Sequence, residues 1–338
     1  MDEAAERYPG RRQPSLFRRL LPLAGVALLA WVLSRLDAEA LRAAVGRVKP
    51  SLLLASCLPF LANVLVKGLR WWRLLAAQGH ALPLGVALAA YLGGQFYGQV
   101  TIGRLGEFYR MEALLERGVS PGQALSSCIV DRIFDLFVVL LLGAVMGAFI
   151  VGHAQAARAA AGLGVATLAV IVAGYVVLGS GRGEPIRHLL SGLATRPTVP
   201  TWLRRPVQLL VDVLFGALLV VRPGPLVEAV VWTLIAWVGY FGTLLMLAAG
   251  LGVGASPATL TGAASMAALS ALLPVTFSGL GARELIYQEV LGSVGVAAEL
   301  AVVTALLHLS VMSAAAIGGG AIGLLIRRRQ RGPSLDHS

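Results

Sequence analysis

The chain of 338 residues is 57% hydrophobic and only 13% charged, with a mean hydropathy of +0.78. A soluble domain carries about 25% charged residues to cover its surface, so this composition excludes an ordinary soluble enzyme and requires a bilayer around several long segments. The net charge of +11 comes mostly from arginines at the ends of apolar stretches. That placement follows the positive-inside rule and suits anionic headgroups, and no basic soluble module is left to bind nucleic acid.

In chain order, a basic tail over 1–15 leads into an apolar run at 20–33 behind Arg11, Arg12, Arg18 and Arg19. A signal peptide is the rival reading of this run, because Ala38, Glu39 and Ala40 offer a small-residue cleavage pattern. The adjoining amphipathic stretch 36–48 reads instead as a surface helix. Further apolar segments cover 51–66, 84–102, 126–151, 159–178, 226–251, 257–277 and 296–326. Ser120 before Pro121 and Ser256 before Pro257 each set a capping hydroxyl ahead of a proline at the first helical position. The short segment 207–221, with Gln208 and Asp212 on one face, reads as an interfacial helix. Cys57 and Cys128 both sit in apolar runs, too few for a disulfide framework and without the neighbours of a zinc site.

Charge decides the number of crossings. Both ends are basic, with Arg327, Arg328, Arg329 and Arg331 closing the apolar part before a tail over 329–338. Cytoplasmic termini require an even number of crossings. Eight crossings would leave Arg182, Arg187, Arg196, Arg204 and Arg205 outside. If 84–102 and 257–277 each enter and return on one side, six crossings remain and that loop becomes cytoplasmic, as do Lys67, Arg70 and Arg73. The expected fold is therefore an all-α polytopic membrane protein, with about six full helices and two re-entrant hairpins near 84–118 and 257–292. Both hairpins end in a glycine-punctuated break: Gly103, Arg104, Gly106 and Glu107 in the first, Gly279, Gly281, Arg283 and Glu284 in the second. Entering from opposite leaflets, they would form an inverted repeat with broken helices meeting near the membrane middle. The sequence likeness of the two halves is confined to these breaks.

A charge kept at mid-membrane costs about 3 kcal/mol and usually faces a partner or a wet cavity. Arg104 and Glu107 share a face if a helix restarts at the glycine, extended by Arg110. They form a phosphate-headgroup site or an interfacial ion pair. Arg283 and Glu284 form either an anion site or a pair that closes the second hairpin. Asp131 and Asp135 share one face with Ser127, beside Arg132, and their surplus negative charge calls for a further cation such as Arg104 or Arg110. These groups line a cavity or lock helices together. Softer stripes comprise Tyr91, Gln95 and Gln99, then Asn63 with Lys67, and Thr304 with His308. They serve as secondary polar lining or, more simply, as interhelical glue. No metalloprotease, nucleophile-elbow or phosphate-loop motif occurs, so the sequence calls for no catalytic residue, metal or cofactor.

Gly103, Arg104, Leu105, Gly106, Glu107 and Arg110, then Asp131, Arg132 and Asp135, and later Gly279 to Glu284, resemble the lysylphosphatidylglycerol synthase transmembrane-region family, the flippase-like membrane domain. The resemblance spans residues 16–328. It marks Arg104, Glu107, Arg110, Asp131, Arg132, Asp135, Arg283 and Glu284 as family-pattern positions, with Asp131 where many members carry Glu. Full synthases continue into a soluble aminoacyl-transferase domain, whereas this sequence stops a few residues past Arg331. The resemblance thus implies the translocating half without the synthesising half, in a bacterial-type plasma (inner) membrane. It implies transbilayer movement of a phosphate-bearing lipid with an anionic or polyprenyl-type headgroup, by a non-enzyme. A non-catalytic subunit for a lipid-modifying enzyme such as a glycosyltransferase is the alternative, and a membrane-embedded lipid transferase a third reading. Partnership with a lipid-synthesising enzyme and homo-oligomerisation both stay open.

Overall fold

The computed structural model describes residues 26–151, 200–220, 222–271 and 278–331, with isolated positions between 152 and 199. The basic N-terminal tail, residues 332–338, most of the apolar run 159–178, Arg182, Arg187 and Arg196, and Pro274 and Thr276 in the second hairpin lie outside the described residues. All regular structure among the described residues is helical. Three helices are long and apolar enough to cross a bilayer: Pro50–Ala77, Pro223–Leu251 and Ala298–Arg329. The first has 28 residues, about 42 Å at 1.5 Å per residue, against a hydrocarbon core of about 30 Å.

The chain begins with α1 (26–34) and α2 (Ala38–Gly46). Asp37 caps α2 by accepting the Ala40 N–H at 2.7 Å. Ala44 on α2 packs with Leu251 and Val303, so this helix lies with its apolar face on the bundle, as the amphipathic pattern predicts. The Ala38–Glu39–Ala40 triplet forms its first turn. Next come α3 (Pro50–Ala77) and α4 (Leu84–Val100), then a tight helical segment Ile102–Met111 running into one turn, α5 (Glu112–Leu115). The remaining helices are α6 (Pro121–Val151), α7 (Thr201–Val220), α8 (Pro223–Leu251), α9 (Pro257–Ser270), α10 (Ala282–Gly292) and α11 (Ala298–Arg331).

Small residues decide which helices approach closely. A side chain at Gly239 of α8 would run into the Pro59 carbonyl of α3, and one at Gly323 of α11 into the Ala89 carbonyl of α4. Asn63 secures the α3–α8 contact by donating to the Ala236 carbonyl at 2.6 Å. Around these contacts a single large core forms, with Trp71, Leu75, Leu244, Tyr287 and Leu291 fully buried.

Helix α7 differs from its sequence reading in length. It spans 20 residues, begins at Thr201 and continues through Pro206. It lies against the start of α6, where Gly122 leaves room for the Asp212 carboxylate and Gly216 for Ser126. The polar pair that suggested an interfacial helix is thus turned partly towards protein: Gln208 donates to Asp212 at 3.3 Å, and Gln78 donates to the Gly216 carbonyl at 3.0 Å.

The two glycine-punctuated breaks both fold the chain back on itself. In the first, Gly103 and Arg104 take left-handed conformations with φ of 60° and 57°. The return segment then packs on α4 so closely that a Cβ at Gly106 would overlap the Tyr97 carbonyl, and one at Gly98 the Glu107 side chain. In the second, Ser278, Gly279 and Gly281 have φ of 48°, 84° and 83°, and Gly279 sits against Ser270 and Ala271 at the end of α9. The hairpins touch at their tips, where the Ser278 hydroxyl faces the Gln99 carbonyl at 3.5 Å.

Candidate functional site

Between the two hairpins and helices α3, α6 and α8 lies a cavity of about 70 Å³, enough for several waters and hence for a phosphate-sized group. Its charged lining is Lys67, Arg104, Glu107, Arg132, Asp135 and Arg283, joined by Asn63, Gln95, Trp237 and Tyr240. Four cations face two carboxylates, so the lining carries two positive charges in excess.

Most of these charges are matched. Glu107 stands between two guanidinium groups: Arg104 Nε lies 2.6 Å from its Oε1, and Arg132 contacts its Oε2. Arg104 also donates to the Gln95 side-chain oxygen at 2.8 Å. Lys67 sits 3.2 Å from Asp135 and over the Trp237 ring at 4.9 Å.

Arg283 is the exception. It is 1% exposed, its Nε and Nη1 have no hydrogen-bond partner, and no carboxylate pairs with it among the described residues. The neighbouring Tyr240 hydroxyl and Trp237 Nε1 are likewise buried and unpartnered.

Behind the cavity stands a second ionic layer. Asp131 is clasped by two arginines: Arg70 Nε donates to Oδ1 at 2.9 Å, and Arg110 Nη1 to Oδ2 at 2.7 Å. Arg70 also reaches Asp135 at 3.0 Å and the Thr233 hydroxyl at 2.9 Å. Arg110 donates to Cys128 Sγ at 3.3 Å and to the Cys128 carbonyl at 3.2 Å. It lies over the rings of Trp71 and Tyr91, 5.1 and 4.9 Å from their centroids. Every lone pair and N–H that matters here has a partner, the condition under which a buried ion pair is tolerated.

The structure therefore divides the residues singled out from sequence. Arg104, Glu107, Arg132, Asp135 and Arg283 come together on one cavity, with Lys67, Asn63 and Gln95. Arg110 and Asp131 belong to the layer behind it, and Tyr91 lies there under Arg110. Glu284 is fully buried and turns back to accept the Gly281 N–H at 2.6 Å, capping α10 instead of lining the cavity. Gln99 reaches across to Ser313 of α11 at 2.7 Å. Thr304 bonds its own helix at the Leu300 carbonyl. His308 Nδ1 meets the Tyr287 hydroxyl at 2.9 Å, and its ring lies 5.1 Å from that of Tyr240. The surplus charge of Asp131 and Asp135 does find its further cation in Arg110, and also in Arg70.

Sequence reasoning missed Arg70, Trp237 and Tyr240. Asn63, Lys67 and Arg70 stand at i, i+4 and i+7 and so share one face of α3. That spacing was the available signal for Arg70.

Long apolar helices, broken hairpins and a cavity of buried charges define a multi-pass membrane protein. The chain belongs to the lysylphosphatidylglycerol synthase transmembrane-region family: the family described as Lysylphosphatidylglycerol synthase TM region matches residues 19–318. Neither the curated proteins nor the solved structures yielded a match.

Proposed function

We propose that this protein moves a phosphate-bearing lipid across the bilayer, the headgroup passing through the cavity while the tails stay in hydrocarbon. The observation that carries this reading is Arg283, a buried guanidinium that forms no ion pair with a carboxylate among the described residues and whose Nε and Nη1 lack a hydrogen-bond partner, in a cavity lined by two more cations than carboxylates. Isolating a charge from water is costly unless it is paired. Such a group therefore calls for an anion, and Arg is the residue best shaped to hold phosphate. The family match adds a membrane and lipid context.

On this reading the two hairpins are re-entrant, one from each leaflet, as the halves of an inverted repeat. Helix α4, with 17 residues, reaches about 25 Å and is short for a full crossing. Six full crossings accompany them, with both termini on the cytoplasmic face of a bacterial-type plasma membrane. Arg104, Arg132 and Arg283 hold the phosphate in turn, while Glu107 and Asp135 keep the paired cations in place between passages. The protein itself is not an enzyme.

The test is lipid flipping by purified protein in liposomes with a labelled phospholipid. Arg283→Ala and Arg104→Ala should each abolish most of the protein-dependent flipping. Unchanged rates in both variants would remove these residues from the mechanism. No flipping by the wild-type protein, together with co-purification of a lipid-modifying enzyme, would favour an accessory-subunit role.

A further inference from the structure

We infer that the headgroup received by this cavity is a doubly charged phosphate monoester, held by Arg283, Tyr240 and Trp237. The lipid nature of the ligand rests on the reading above; the charge and the donors rest on the site itself.

The polar groups of the cavity fall into two unlike sets. In one, Arg104 and Arg132 share Glu107 and Lys67 holds Asp135, so every cation already has a carboxylate. In the other, Arg283 Nε and Nη1, the Tyr240 hydroxyl and Trp237 Nε1 are all without a partner. Arg283 is 1% exposed, and Tyr240 and Trp237 are each 5% exposed, so bulk water does not satisfy them. Trp237 and Tyr240 are three residues apart on α8, and their rings meet edge-on with centroids 4.8 Å apart. That contact fixes both on one side of the cavity. The nearest carboxylate in sequence, Glu284, is turned away to the Gly281 N–H. Donors gathered without acceptors, in a buried place, describe the complement of an oxyanion.

The charge count sets which oxyanion. The lining has two positive charges in excess. Counting the layer behind, Arg70 and Arg110 against Asp131, together with Glu284, the sequence neighbour of Arg283, leaves the excess at two. A phosphodiester brings one negative charge and two terminal oxygens, leaving a buried positive charge unmatched. A phosphate monoester brings up to two charges and three acceptor oxygens. A headgroup carrying an added cation, as an aminoacylated lipid does, worsens the imbalance.

The experiment is a native mass spectrometry titration of the full-length protein in detergent at mildly alkaline pH, where the monoester is doubly ionised. The probes are short-chain phosphatidic acid (a monoester), short-chain phosphatidylglycerol (a diester) and inorganic phosphate. Phosphatidic acid should bind at least about tenfold more tightly than phosphatidylglycerol. Tyr240→Phe removes one donor with little change of shape and Trp237→Phe removes the other together with part of the ring, and each should weaken phosphatidic acid about tenfold, the usual effect of a hydrogen bond to a charged group. Arg283→Gln should weaken it further; if that variant fails to fold, the two Phe variants carry the test. Equal affinity for the two lipids overturns the dianion assignment and leaves the lipid reading standing. Unchanged binding in both Phe variants overturns the assignment of donors. Binding of inorganic phosphate with no binding of either lipid overturns both this inference and the transport reading.

Discussion

Asp131 is the carboxylate on which the rear ionic layer depends, and replacing it by Asn changes charge with almost no change of size. Arg70 and Arg110 have side chains 0% and 2% exposed, and the substitution leaves both without their main counter-charge. Arg70 would keep Asp135 and Thr233, whereas Arg110 would keep no carboxylate, only the Cys128 sulfur and carbonyl and the faces of Trp71 and Tyr91. Removing one partner of a buried pair costs about 3–5 kcal/mol. An internal control lies on the same helix α3, where Arg73 pairs with Glu228 at 2.5 Å, with side chains 48% and 33% exposed. An exposed pair is worth about 0–1 kcal/mol, so Glu228→Gln should be nearly silent. Reversible unfolding in mixed micelles, followed by intrinsic fluorescence, compares the two variants directly. Asp131→Asn should be less stable than Glu228→Gln by about 2 kcal/mol or more. A difference within experimental error would show that the buried arginines find water or other partners, and the saturated-layer argument would fail.

The first hairpin should be intolerant of a single methyl group: Gly106→Ala, whose Cβ would overlap the Tyr97 carbonyl, should lower the yield of folded protein in size-exclusion chromatography. Gly292→Ala, which meets nothing within 4 Å, should leave the yield unchanged. Gln99→Cys with Ser313→Cys, placed where the native side chains hydrogen-bond at 2.7 Å, should cross-link α4 to α11 under mild oxidation in a background lacking Cys57 and Cys128. Glu107→Gln frees Arg104 and Arg132 and adds one positive charge to the cavity. It should tighten binding of a phosphate-bearing lipid about tenfold in titrations and slow flipping in liposomes, because the headgroup is then released less readily.

Features set by local chemistry were legible from the sequence. The cap of α9 follows from Ser256 and Pro257, and both chain reversals fall at the glycine clusters that predict them. Glu107 pairs with Arg104 as the three-residue spacing requires. Asp131 and Asp135 meet one arginine because they lie on one face of α6. What escaped were relations between distant segments. Arg70 reads as one more positive charge beside Lys67 and Arg73, and its depth depends on a carboxylate 61 residues away. Trp237 and Tyr240 sit in a helix so uniformly apolar that no polarity pattern separates them from lipid-facing neighbours such as Val238, which is 72% exposed. His308 finds its partner in Tyr287 on another helix.

Adjacent residues on a helix point about 100° apart, and this one fact sorts the ionic motifs into two jobs. Arg132 turns to the cavity while Asp131, one residue before it, turns to the rear arginines. Arg283 turns to the cavity while Glu284, one residue after it, turns back to cap its own helix. In each acid–base couple the acid serves the scaffold and the base faces the open space. An adjacent acid and arginine in a helix therefore do not make a neutral pair. It delivers one guanidinium to the cavity with its neighbour's negative charge already engaged elsewhere, and with two such couples on opposing hairpin and helix the cavity acquires its positive excess. Glu107, three residues after Arg104 on the return arm of the hairpin, shares the cavity with Asp135 but stands between two guanidinium groups that both line it; on the proposed function it is the carboxylate that an incoming phosphate displaces to engage Arg104 and Arg132.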